Sequence, residues 1–111
     1  MHGDCTLENT IIHDGRAYLI DAESAGKGSR AYDLAVLLVH AGTDALGAPD
    51  DTMRKLRAEC FSVCGAQGGV ACVAERIAGI VTFGQTHWPT DLTSFVLRAT
   101  AFVDRWISLP D

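Results

Sequence analysis

His2-Gly3-Asp4-Cys5-Thr6-Leu7-Glu8-Asn9, followed by Thr10-Ile11-Ile12-His13, Asp14-Gly15 and Ala17-Tyr18-Leu19-Ile20-Asp21, is the stretch from which the rest of the chain is read. The two four-residue runs are apolar, β-branched or aromatic, and Asp14-Gly15 between them tolerates φ > 0 at both positions, which predicts a tight β-hairpin. Asn9 and Asp21 then fall at the open ends of two antiparallel strands, with Asp4 on the loop just before them. Two oxygen donors held close by a rigid scaffold suit a hard cation such as Mg²⁺. A carboxylate beside them suits a general base.

These residues carry a resemblance. HGDCTLEN, then LIDAE, then GSRAYDLA resembles the catalytic segment of the aminoglycoside phosphotransferase and choline-kinase-like family, relatives of the protein kinases, over about residues 1 to 38. Carried over position by position, the resemblance implies that Asp4 is the catalytic base, that Asn9 and Asp21 are Mg²⁺ ligands, and that Asp33 braces the catalytic loop through backbone N–H groups. His2 would brace the same loop and is not itself reactive. The implied activity is ATP- and Mg²⁺-dependent transfer of the γ-phosphate to a hydroxyl of a small molecule such as an aminoglycoside, a choline-like amino alcohol or a sugar. Phosphoryl transfer suits so small a set of groups, because it needs positioning and charge neutralisation more than covalent help.

The ordinary reading of the same residues is structural: Asp and Asn are common turn formers and caps. Their joint spacing on a hairpin favours the functional reading. The resemblance also implies a kinase-like C-terminal lobe whose N-terminal lobe is absent. Lys27 and Lys55 are the only lysines, and both lie downstream of the HGD segment, so neither stands where the phosphate-pairing lysine of such an enzyme would. A non-catalytic, truncated or split lobe acting as a binding or assembly module is therefore the alternative. A hydrolase built on His2 or Cys5 is a third class, which lacks an accompanying base and oxyanion arrangement.

The remaining chain reads as mostly helical, giving an α+β, mostly α, fold in one partial domain, with the catalytic loop and hairpin in residues 1–33 and a helical subdomain in 34–111. Residues 22 to 30 read as a loop in which Glu23, Lys27 and Arg30 are candidate substrate or phosphate contacts; the spacing of a P-loop is absent. Asp33 is expected to open a helix that ends near His40 to Gly42, the end position being a favourable one for a histidine. Asp50-Asp51-Thr52 is expected to cap a second helix stopped by Gly65, and Gly68-Gly69 to break the chain again before a helix over 70–83. A turn over 84–89 contains His87 and Trp88, left without assigned roles. The last helix, capped by Thr90 or Asp91, shows Leu92, Phe95, Val96, Ala99, Phe102, Val103 and Trp106 as one amphipathic stripe.

Composition bounds the partners. A formal charge of −5 argues against a nucleic-acid binder and fits a cationic small-molecule acceptor. No run is long and apolar enough to span a bilayer, and the polar start is unlike a secretory signal, so a cytoplasmic protein is expected. Apolar surface between lobes would be left for a missing N-lobe polypeptide or for self-association. Cys60, Cys64 and Cys72 lack the CxxC pairs of a zinc site and read as small apolar residues.

Overall fold

A computed structural model of the chain describes residues 1–21, 25–44 and 47–111. A 3-10 turn (Leu7–Asn9) leads into β1 (Thr10–His13), which pairs antiparallel with β2 (Arg16–Leu19) in the register Thr10 opposite Leu19 and His13 opposite Arg16. Asp14 (φ 49°) and Gly15 (φ 73°) are both left-handed, the geometry whose twist matches that of paired strands. Ile20 lies just past β2, yet its N–H still donates to the Asn9 carbonyl at 2.8 Å, so the ladder reaches the residue before Asp21. Every residue of β2, and all of β1 except Thr10, is exposed. A lone two-stranded ribbon is marginal in water. This one is tied at its base by the Thr10 hydroxyl, which donates to the Thr6 carbonyl at 2.8 Å.

α1 (Arg30–Thr43) begins three residues earlier than expected, so Arg30 is helical and not part of the loop. The reason is a better cap: the Ser29 hydroxyl accepts from the Ala31 N–H at 3.0 Å, which leaves Asp33 inside the first turn with its carboxylate free to reach outward. Ala31, Ala35, Val36, Leu38 and Val39 are buried, making α1 the central helix.

α2 (Asp50–His87) is two helical segments joined at Gly65, whose φ of 78° and ψ of 172° are non-helical. The expected break at Gly68-Gly69 is absent. Those glycines lie within the second segment at its crossing with the first: a Cβ on Gly69 would stand 2.5 Å from the Phe61 ring, and one on Gly68 would stand 2.9 Å from the Cys64 sulfur. They permit close packing and do not interrupt the helix. The second segment also runs through the expected turn to His87, with Gly84 buried beneath the Trp88 ring. At its start Pro49 occupies the cap position without a side-chain bond, so Asp50 and Asp51 lie in the first turn instead of capping it. Asp50 there receives Arg105, from the last helix, at 2.6 Å.

α3 (Leu92–Ser108) buries Phe95, Ala99, Phe102 and Trp106, a narrower stripe than expected because Val96 is 42% exposed. Asp91 holds its N-cap position without donating or accepting a capping bond through its side chain. Phe102 and Trp106 stack at 5.9 Å and join Leu38, Val39, Met53, Cys60 and Val73 in the core. Arg57, buried, closes the far end by donating to the carbonyl of Trp106 (2.9 Å), in the last turn that a helix leaves without intrahelical partners, and to those of Leu109 (2.7 Å) and Pro110 (3.1 Å) just past it.

The cysteines divide. Cys60 is buried, which pushes its thiol up to about 11, Cys72 is half-buried, and Cys64 is exposed, contrary to its expected apolar role. Among the described residues no group of three or more His, Cys, Asp and Glu could hold a metal, and no helix is long and apolar enough to cross a membrane. The fold is thus mostly helical with one antiparallel hairpin.

Candidate active site

Asp33 projects from the first turn of α1 toward the start of the chain. Its Oδ2 accepts from the His2 N–H at 2.8 Å and its Oδ1 from the Gly3 N–H at 2.9 Å, so one carboxylate satisfies two consecutive backbone donors. Gly3 has a φ of 91°, a conformation that L side chains rarely adopt, which suits a glycine at the corner that Asp33 holds. The His2 ring is locked from both sides. Its Nδ1 accepts from the Asp4 N–H at 3.2 Å, so the ring proton sits on Nε2, which donates to the Ile20 carbonyl at 2.8 Å. That imidazole joins the loop to the end of the hairpin.

Asp4 is held at both oxygens. Asn9 Nδ2 donates to its Oδ2 at 3.1 Å and to its backbone carbonyl at 3.0 Å, while Arg76, arriving from the second segment of α2, donates to its Oδ1 at 2.7 Å. The same Arg76 nitrogen donates to His40 Nε2 at 2.9 Å, near the end of α1. Because the Asn9 amide nitrogen is spent on Asp4, its Oδ1 is left for another partner. Asp21, with a φ of 59°, presents an exposed carboxylate that has no partner among the described residues.

Gly3, Asp4, Asn9, Asp21, His40 and Arg76 open onto one cleft of about 1050 Å³. Asp4, Asn9 and Asp21 line it at the hairpin end; Phe83, Trp88 and Phe95 line it where α2 meets α3, with Trp88 edge-on to Phe95 at 6.0 Å. Asp4, Glu8, Asp21, Asp44 and Asp91 outnumber the cleft cations Arg76 and Arg98. Asn9 and Asp21 offer oxygen donors only, which fits a small hard cation of the kind that takes one or two protein ligands and fills its other positions with phosphate and water.

Of the residues singled out from the sequence, Asp4, Asn9 and Asp21 share the cleft, and His2 and Asp33 stand directly behind it. Lys27 and Arg30 do not line the cleft; both are exposed, Lys27 next to Gly26, whose backbone pairs with Met1. Glu23 lies outside the described residues. Arg76 and the contact it makes with His40 were not read from the sequence. A signal was available: Arg76 shares helical spacing with Val73, Ile77 and Ile80, and a cation on an apolar face needs a partner.

His40 carries a pH consequence. Its burial, then the Arg76 charge, push its pKa below the ordinary 6.5, against the weaker pull of Asp4 and Glu8. A histidine depressed on folding binds more protons unfolded than folded between its two pKa values, so its contribution to stability is complete above pH 6.5 and is lost as pH falls through the folded value. Thermal melts between pH 7.5 and 5 are expected to decline more steeply for the wild-type chain than for His40→Gln.

Comparison with protein-family models matches residues 1–79 to the phosphotransferase enzyme family. Comparison with curated proteins and with solved structures gives no match.

Proposed function

This chain belongs to the phosphotransferase enzyme family, and on that premise we propose that it transfers the γ-phosphoryl group of ATP, with Mg²⁺, to a hydroxyl of a small cationic acceptor such as an amino alcohol or amino sugar. The observation that carries the reading is the convergence of Asp4, Asn9 and Asp21 on a single cleft. The loop, hairpin and helices correspond, on this reading, to the catalytic lobe of a kinase-like fold.

Asp4 accepts the proton of the acceptor hydroxyl as the oxygen attacks. Its carboxylate is already oriented by Asn9 and Arg76, so little rearrangement is required when the hydroxyl arrives. Asn9, through its amide oxygen, and Asp21, through its exposed carboxylate, would hold the divalent ion. Bound Mg²⁺ supplies neutralisation of the phosphate charge. His2 and Asp33 keep the loop closed on the hairpin. The surplus of carboxylates along the cleft attracts a cationic acceptor, and the aromatic end provides a surface for its apolar part.

The purified chain, given Mg²⁺ and ATP with a panel of amino alcohols and amino sugars, is expected to release ADP faster with one class of acceptor than without. No acceptor-dependent ADP, together with no thermal shift on adding Mg²⁺ and ATP, overturns the proposal.

One observation favours a second reading. Ile11, Ile12, Tyr18, Leu19 and Ile20 are between 42% and 71% exposed on a ribbon that packs on little else. Ile11, Tyr18 and Ile20 lie on one side of the ribbon and Ile12 and Leu19 on the other, and apolar side chains exposed on both sides suit a lobe that acts as a binding or assembly module, covered by another polypeptide or a second copy. Turnover by the chain alone separates the two readings.

A further inference from the structure

We infer that Arg76 is a positioning residue for Asp4, itself held in place by His40, so that two helices distant in sequence from the loop, α1 and α2, set the orientation of one carboxylate. The inference rests on the phosphotransfer reading of Asp4 and extends it to residues outside the HGD segment.

The geometry leaves Arg76 little other purpose. Its side chain is 17% exposed, and its Nε is buried without a hydrogen-bond partner among the described residues, a cost to stability that an ordinary surface arginine avoids. One of its two terminal nitrogens, Nη2, uses both of its protons, one to Asp4 Oδ1 at 2.7 Å and one to His40 Nε2 at 2.9 Å. With Asn9 on Oδ2, the Asp4 carboxylate is pinned at both oxygens, and each oxygen keeps a lone pair for a substrate hydroxyl. Without Arg76 the carboxylate is held on the Asn9 side alone and can turn about its χ2, a torsion with broad wells.

His40 makes this arrangement sensitive to protons. While neutral, its Nε2 accepts from Arg76. Once protonated, it becomes a donor facing a guanidinium, so the contact is lost and two cations adjoin. The groups facing it are Arg76 from α2, Asp4 from the loop and Glu8 from the 3-10 turn. Arg76 and the two carboxylates act in opposite directions, and burial favours the neutral ring.

The test compares wild type, Arg76→Met, Arg76→Lys and His40→Gln in steady-state kinetics across pH, with nuclear magnetic resonance titration of the His40 ring as a readout independent of turnover. Arg76→Met is expected to lose about 10- to 100-fold in kcat, the worth of one charge-assisted hydrogen bond, with the KM for ATP little changed. Arg76→Lys recovers part of that loss, since an ammonium restores the charge but not the fork. In Arg76→Met the His40 ring titrates at higher pH than in wild type. In His40→Gln, whose amide oxygen accepts from Arg76 without titrating, kcat is reduced and its acid limb moves to lower pH. An active wild type beside an Arg76→Met variant of unchanged kcat overturns this inference alone, as does an unmoved His40 titration. A wild type with no acceptor-dependent turnover overturns the phosphotransfer reading and this inference with it.

Discussion

Asp4→Asn is expected to lower kcat by about 10²- to 10⁴-fold, the range that a positioned proton acceptor contributes, while leaving the KM for ATP nearly unchanged. The substitution keeps the size and planarity of the side chain. An amide oxygen can still accept from Asn9 or Arg76, but it cannot take a proton from an attacking hydroxyl. Loss confined to kcat is the mark of an interaction made in the transition state. A structural role for Asp4 forecasts something else: a lowered melting temperature and a proportionate loss of active protein, with kcat per folded molecule unchanged. The Asp4 side chain is 41% exposed, so stranding Arg76 costs less than breaking a fully buried pair. Measuring kcat alongside thermal melts separates the outcomes, and an Asp4→Asn enzyme of wild-type kcat removes the base from the mechanism.

What could be read from the sequence was what local chemistry decides. Asp14-Gly15 specifies a hairpin from two residues, and the register that follows carries Asn9 and Asp21 to the same end of it. The helical character of the remainder follows from apolar spacing alone. Helix ends were less legible, because candidate caps compete: Ser29 outcompetes Asp33, and Pro49 displaces Asp50 from the cap to the first turn. Gly68 and Gly69 misled for another reason. A glycine pair serves as a break or as a close-packing surface, and only the partner, here Phe61 and Cys64, decides which. Arg76 is the extreme case. It meets Asp4 across 72 positions, a pairing that no motif at either end encodes.

Asp33→Ala is the second large effect expected. The carboxylate accepts from two successive backbone N–H groups at 2.8 and 2.9 Å, in a partly buried place where water replaces it poorly. Hydrogen bonds to a charged group are worth about 1.5–3 kcal/mol each, so removing both should cost about 3–6 kcal/mol, a large share of what a chain of this size has. The cost should divide between two readouts. Part appears as a lower melting temperature. The rest appears as faster exchange of the His2 and Gly3 amides and a lower kcat, because the loop bearing Asp4 then loses its backbone brace and keeps the His2 ring, Asn9 and the Arg76 contact to Asp4. Asp33→Asn should fall between, since its amide keeps one acceptor and turns a donor toward the other N–H. A bracing role requires that ordering: wild type, then Asn, then Ala, in amide protection and in kcat alike. If Asn and Ala are equal to wild type in both, Asp33 merely occupies the first turn of α1, where any acidic residue would favour the helix dipole.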